Sequence, residues 1–257
     1  MDLGLDGRTA IVCASTGGLG RAVAEALAAE GANIVVTGRR GDLAREIAAG
    51  LPRAVGVAAD LTDPAGPATV TDAAVAAFGQ VDVLVLNGPG PRPARADEIG
   101  DEELAAAMDT LLVAHQRLIK PILPGMRNRG WGRILAIGSS GVAAPLPDLA
   151  LSNAGRAALA AYLKTLAAEV AGDGVTVNLL LPGRIATERV GQLDAARARK
   201  VGRPVEEVAA RSRASIPAGR YGAPAEFGAV AAFLCGGPAS YVTGTAVRCD
   251  GGLVRNL

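Results

Sequence analysis

The sequence predicts an α/β fold: one doubly wound parallel sheet with helices on both faces and a small helical lid near the C-terminus. Three observations predict it. Short runs rich in Val, Ile and Leu alternate with Ala-rich helical patterns along the chain. Several of these runs are apolar throughout, as in strands buried on both faces. A glycine-rich turn, Ser15-Thr16-Gly17-Gly18-Leu19-Gly20, joins the first run to the first helical pattern.

The first strand is predicted over Ala10 to Cys13 and the first helix over Arg21 to Glu30, closed by Gly31. Glycines in such a turn let the backbone approach a pyrophosphate, and the free N–H groups of the helix face the anion. A second strand, Asn33 to Thr37, ends at Gly38-Arg39-Arg40. In a dinucleotide site the tip of this strand meets the adenosine ribose. An acid there would bind the 2′-hydroxyl, whereas arginine accommodates a 2′-phosphate, so NADP(H) is favoured over NAD(H). A solvated arginine pair is the alternative.

A helix over Asp42 to Ala49 and a strand over Ala54 to Ala59 lead to Asp60-Leu61-Thr62-Asp63. Asp60 could accept from an adenine amino group or simply form the turn. Next come a helix over Pro67 to Phe78, a strand over Val81 to Leu86, and Asn87-Gly88 at its tip. Beyond the irregular stretch Pro91 to Ala96, a long helix is expected over Asp101 to Leu123, ending at Pro124-Gly125.

The fifth strand, Arg133 to Ile137, carries Gly138-Ser139 at its tip, and a loop leads to a helix over Ala150 to Ala171. The sixth strand, Val175 to Leu181, runs into Pro182-Gly183-Arg184-Ile185-Ala186-Thr187. The segment 184–220 holds nine basic residues against four acidic ones and has helical signals at Leu193 to Lys200 and Val205 to Arg213, as in a mobile lid. Its charge suits either a solvated surface or docking of an acidic acyl carrier. A helix over Pro224 to Leu234 and a seventh strand over Gly244 to Arg248 complete the chain, which reads as one domain over 1–257.

Composition narrows the function. Mean hydropathy is +0.29, with 50% apolar but only 3% aromatic residues, so Ala, Val and Leu build the core. A net charge of +1 gives no reason to expect nucleic acid or a membrane surface. The widely spaced Cys13, Cys235 and Cys249 and the single histidine, His115, form neither a disulfide framework nor a metal set, so no metal is expected. With no signal pattern and no apolar run of transmembrane length, a soluble cytoplasmic protein is expected.

Taken in order, the glycine turn, Asp60-Leu61, Asn87-Gly88, Ser139, Pro182-Gly183-x-Ile185-x-Thr187 and Tyr241-Val-Thr-Gly244…Asp250-Gly251-Gly252 resemble the short-chain dehydrogenase/reductase family. The resemblance spans nearly the whole chain and is nearest to its 3-oxoacyl-acyl-carrier-protein reductase-like branch. It implies a seven-stranded Rossmann sheet, NAD(P)(H) and hydride transfer at a carbonyl or carbinol carbon. It also implies a small-molecule or acyl-thioester substrate and a homo-oligomer, a tetramer or dimer. Carried over residue by residue, Thr16, Gly17, Gly18, Leu19 and Gly20 would line the pyrophosphate. Arg39 would meet the 2′-phosphate, Asp60 and Leu61 the adenine, and Asn87 and Gly88 the adenine ribose side. Pro182, Gly183, Ile185 and Thr187 would hold the nicotinamide. The first glycine of the family's turn is Ala14 here, which is tolerable if that residue keeps φ < 0.

The catalytic positions depart further. The family uses Asn, Ser, Tyr and Lys, and only the serine is matched, by Ser139. The Tyr-x-x-x-Lys element falls on Ser152-Asn153-Ala154-Gly155-Arg156, and the asparagine falls near Leu111. None of Tyr162, Tyr221 or Tyr241 has Lys or Arg four residues later. Arg156 keeps the positive charge and could fork to both nicotinamide-ribose hydroxyls, but its pKa above about 12 makes it a poor proton relay. Ser139 and Ser152 are expected to orient the substrate oxygen. His115, one turn beyond Leu111, is a candidate acid, with a core or interface histidine as the alternative. Two functions follow: an NADP(H)-dependent reductase with a rebuilt proton-delivery site, or a redox-silent member acting as an isomerase, cyclase, dehydratase or nucleotide-binding scaffold.

Overall fold

The structure is a computed structural model and describes residues 1–256. Its elements run β1 (Thr9–Val12), α1 (Gly18–Ala29), β2 (Asn33–Gly38), α2 (Gly41–Ala49), β3 (Ala54–Ala58), α3 (Gly66–Phe78), β4 (Val83–Leu86), α4 (Asp101–Met108), α5 (Ala114–Asn128) and β5 (Gly132–Ile137). Then come α6 (Ala150–Val170), β6 (Val175–Pro182), α7 (Glu188–Val201), α8 (Val205–Ala214), α9 (Pro224–Cys235) and β7 (Ala246–Cys249). All seven strands form one parallel sheet in the order β3-β2-β1-β4-β5-β6-β7. Strand order reverses between β1 and β4, where Ile11 pairs with Leu84, and this reversal opens a crevice at the carboxyl ends of the strands.

Burial on both faces explains the unbroken apolar runs. Ala10 and Val12 of β1 pack with Val23 and Leu27 of α1, Ile47 of α2 and Phe227 of α9. Ile11 and the following Cys13 point the other way, to Val70 of α3, Leu118 of α5 and Leu163 of α6. Phe227 is fully buried, and a side chain of its size contributes about 1.5–3 kcal/mol by leaving water. No helix among the described residues is long and apolar enough to cross a membrane.

The expected helix over 101–123 is different in the structure. It is interrupted by a π-helical turn, Asp109–Val113, and then continues to Asn128 through Pro121 and Pro124. Both prolines lie on the exposed face, where the carbonyls they leave unpaired reach water. Leu118, Ile119, Ile122 and Met126 on the opposite face hold the helix against the sheet. The first helix of the lid is also longer than the expected 193–200, because α7 starts at Glu188, directly after Thr187.

That lid is anchored. Asp194 of α7 is only 3% exposed; Arg184 donates to one of its oxygens at 2.8 Å and the Tyr221 hydroxyl to the other at 2.7 Å. Backbone bonds between Arg184, Ala186 and Gly222 fasten the loop after β6 to the segment before α9. Lys200 near the end of α7 reaches Asp148 on the loop after β5 at 3.6 Å.

Candidate active site

The β1–α1 turn is the floor of the site. Ala14 has a φ of 47°, so the condition on which a methyl was acceptable there is not met, and the residue sits in the left-handed region that favours glycine. Neighbours hold it: Asn87 Nδ2 donates to the carbonyls of Cys13 and Ala14 at 3.3 and 3.4 Å. A Cβ on Gly20 would lie 2.5 Å from the Ala14 oxygen, so only glycine allows α1 to approach the turn. No acid and no side-chain cap occupies the first turn of α1, leaving its N–H groups free. Cys13 is sealed below the turn, and burial pushes its thiol up to about 12.

A cavity of about 710 Å³ opens above this turn at the β1/β4 crevice. Of the residues singled out from the sequence, Thr16, Arg39, Asp60, Leu61, Asn87, Gly88 and His115 line it. Thr37, Arg40 and Arg189 line it as well and were missed. For Arg40 the signal was adjacency to Arg39, and for Arg189 a position two residues beyond Thr187. Arg39, Arg40 and Arg189 have no carboxylate partner among the described residues, so the wall is electropositive. Asp60 shapes the turn: Oδ1 accepts from the Thr62 N–H at 3.0 Å and hydroxyl at 2.7 Å. Those bonds, with a smaller contribution from Arg39, hold its carboxyl below the usual range.

The remaining cofactor candidates lie outside the cavity wall. Gly17, Gly18 and Gly20 form the turn and helix start beneath it, and Leu19 packs on the core. Ile185 is 3% exposed in the core cluster that also holds Phe227. Gly183 is small for a packing reason, since a Cβ there would lie 2.6 Å from Cα of Asp250. Pro182 ends β6, and Thr187 caps α7 without a side-chain bond to it.

The catalytic candidates gather at the tip of β5 beside this cavity. The Ser139 hydroxyl accepts from the Gly141 N–H at 3.0 Å and keeps its own proton to donate. Arg156 Nε donates to Ser152 Oγ at 3.3 Å. Its Nη1 donates to the carbonyls of Ile137 and Gly138 at 3.0 and 3.1 Å, so Arg156 does not present a free fork to a ribose. Only Nη2 lacks a protein acceptor among the described residues. Burial lowers the pKa of this guanidinium, and no carboxylate pairs with it among the described residues. Leu111, at the asparagine position, lies in the π-helical turn and packs on α6, where a Cβ on Gly155 would lie 2.7 Å from its Cδ1.

His115 reaches the cavity but is 4% exposed. Its Nδ1 donates to the Leu111 carbonyl at 2.9 Å in the neutral tautomer that this contact favours. Burial pulls its pKa below the ordinary value; the Leu111 and Asn87 backbones oppose that, and nearby Arg156 adds to it. No tyrosine stands in for the missing phenol. Tyr221 donates to Asp194, Tyr241 is fully exposed, and Tyr162 lines a separate cleft with Gln116 and Arg127. Among the described residues no group of three His, Cys, Asp or Glu side chains could hold a metal.

The chain is similar to known proteins over nearly its whole length. Residues 13–254 match the family described as enoyl-(acyl carrier protein) reductase. The 3-oxoacyl-[acyl-carrier-protein] reductase FabG of Salmonella typhimurium is 33% identical over 254 residues, 98% of this chain and 99% of that protein. D-beta-hydroxybutyrate dehydrogenase of Cupriavidus necator is 36% identical over 257 residues, covering 97% and 99%. The structure of L-sorbose reductase from Gluconobacter frateurii, solved with NADPH and L-sorbose, superposes with a TM-score of 0.94 at 32% identity over the whole of both chains. The chain belongs to the short-chain dehydrogenase/reductase family of oxidoreductases.

Proposed function

We propose that the protein is an NADP(H)-dependent carbonyl reductase in which two serines and an arginine replace the family's Tyr-Lys pair. The observation that carries this reading is the electropositive cavity at the strand-order reversal, with Arg39 and Arg40 beside the β2 tip. The residues present fit the cofactor. Among the described residues the Thr37 hydroxyl is buried without a partner in a wall of the same cavity, the α1 N–H groups are free, and Gly20 leaves room for close backbone approach. NADP(H), when bound, supplies the hydride.

The chain's own residues do the rest. Arg39 and Arg40 bind the 2′-phosphate, Thr16 and the Gly17–Gly20 turn the pyrophosphate, and Asp60, Leu61, Asn87 and Gly88 frame the adenosine. Pro182, Gly183, Ile185 and Thr187 shape the nicotinamide end through their backbone. Ser139 and Ser152 hydrogen-bond the substrate oxygen and hold it near the Arg156 charge, which stabilises the developing alkoxide. Serine is a weaker acid than tyrosine, so the proton reaches that oxygen from water through the Ser152 hydroxyl. His115, neutral near pH 7, offers Nε2 as a hydrogen-bond acceptor to that water.

The relatives' names support a substrate among 3-oxoacyl thioesters and ketones, sugars included. A homotetramer belongs to the same reading and is measurable by sedimentation. A purified sample with NADPH and a panel of 3-oxoacyl thioesters, ketones and quinones, read at the nicotinamide absorbance, tests it. Turnover of at least one carbonyl is expected. Pairing Ser152→Tyr with Arg156→Lys should raise ketone reduction, and no gain would contradict the register assigned here.

A second reading has one observation in its favour. Arg156 spends most of its donors on Ile137, Gly138 and Ser152, and no phenol stands near it. That arrangement suits a redox-silent isomerase, cyclase, dehydratase or nucleotide-binding scaffold, for which NADPH binds tightly and no carbonyl is turned over.

A further inference from the structure

Arg189 stands apart from most cations of the lid segment. Arg184, Lys200, Arg203, Arg211, Arg213 and Arg220 each pair with a carboxylate. Arg189 pairs with none among the described residues, and it faces the large cavity. Its isolation has a local cause. The neighbouring Glu188 carboxylate accepts from Gln192 Nε2 at 3.0 Å, and the positions one helical turn from Arg189 (Ile185, Ala186, Gln192 and Leu193) carry no acid.

Its placement is deliberate in the fold. The chain leaves β6, three strands from β1 in the sheet, yet Arg189 shares a cavity wall with Ala14 and Thr16 of the β1 turn. The loop and α7 therefore arch over the strand ends. Asp194, five residues further on, is clamped by Arg184 and Tyr221, so Arg189 rides on an anchored helix. Beneath the cavity lie the free N–H groups at the start of α1, and its lining includes the Thr37 hydroxyl, buried without a partner among the described residues. Arg39 and Arg40 follow β2 and Asp60 and Leu61 follow β3, on the opposite side of β1 from β6.

We infer that Arg189 closes the cavity from above and binds the pyrophosphate bridge of the dinucleotide, opposite the α1 N-terminus. The inference rests on the NADP(H) reading and deepens it. A guanidinium fork matches phosphate oxygens, and its side chain reaches the ligand only with the lid in place, so nucleotide affinity reports the position of the lid.

Equilibrium binding of NADPH, 2′-phospho-ADP-ribose and 2′,5′-ADP to wild type, Arg189→Gln, Arg189→Lys and Arg39→Ala tests it without turnover. The first two ligands contain a pyrophosphate and the third does not. Arg189→Gln should weaken the first two about tenfold and 2′,5′-ADP by less than about twofold, with Arg189→Lys between. Arg39→Ala should weaken all three. Unchanged binding in Arg189→Gln, or an equal loss for 2′,5′-ADP, overturns the clamp alone. Failure of the wild type to bind NADPH overturns the cofactor reading and the clamp together. Arg189 is exposed, so the variants should melt with the wild type.

Discussion

Replacing Ala14 with glycine should stabilise the protein, although it removes a methyl group. Ala14 holds a φ of 47°. A left-handed backbone costs a residue with a Cβ about 1–2 kcal/mol, whereas glycine adopts it freely. Glycine also returns conformational freedom to the unfolded chain, which costs about 0.5–1 kcal/mol. The difference favours the folded variant by about 0.5–1 kcal/mol, or a rise in Tm of about 1–4 °C for a chain of this size. The glycine should keep the turn, because Asn87 still ties the carbonyls of residues 13 and 14 and Gly20 still packs on the latter. Calorimetric melting of both proteins, with NADPH binding measured beside it, is the assay. NADPH affinity should hold or improve, since the methyl leaves the cavity wall. A fall in Tm would refute the argument, because it would mean that the methyl packs favourably by more than the strain it causes.

Three other outcomes follow from the site. His115 is the one histidine, so its titration can be followed by NMR without ambiguity. Burial depresses its folded pKa, so its contribution to stability is complete above the unfolded value of about 6.5 and is lost as pH falls toward the folded value. His115→Gln should remove that acid-side loss, and a ring still charged at neutral pH would contradict the burial argument. Asp194→Asn leaves Arg184 without its buried counter-charge and should cost about 3 kcal/mol, the low end for buried pairs because Arg184 is partly exposed. An unchanged urea midpoint would show the lid to be held by packing alone. Arg197 and Arg199 are exposed and have no carboxylate partner among the described residues. Glutamate at both should raise KM for a carrier-protein-linked substrate and leave a small ketone unaffected, while an equal effect on both would exclude carrier docking there.

The strands were legible because their physics is local. Continuous apolar runs such as Val83–Leu86 mark strands buried on two faces, and Gly20 at the start of α1 marks a close approach of helix to turn. What was not legible depends on geometry that residue types leave open. An alanine in place of a glycine does not reveal whether the turn changes φ to suit it, and here the turn kept its shape. Prolines usually stop helices, but Pro121 and Pro124 lie where water can satisfy the carbonyls they free. The fork of Arg156 was expected toward a ribose, and the carbonyls of Ile137 and Gly138 at the end of β5 take its Nη1. Arg189 was hidden because its cavity is formed by strands far from it in sequence.

Hydride delivery to a carbonyl from a site with no catalytic tyrosine is the central claim. Its most direct test uses NADPH deuterated at nicotinamide C4 with the same carbonyl panel, the alcohol products being read by mass spectrometry. The reductase account predicts deuterium on the carbinol carbon of at least one product, lost when Ser152 and Arg156 are both replaced by alanine. Tight NADPH binding with no labelled alcohol from any carbonyl would contradict it.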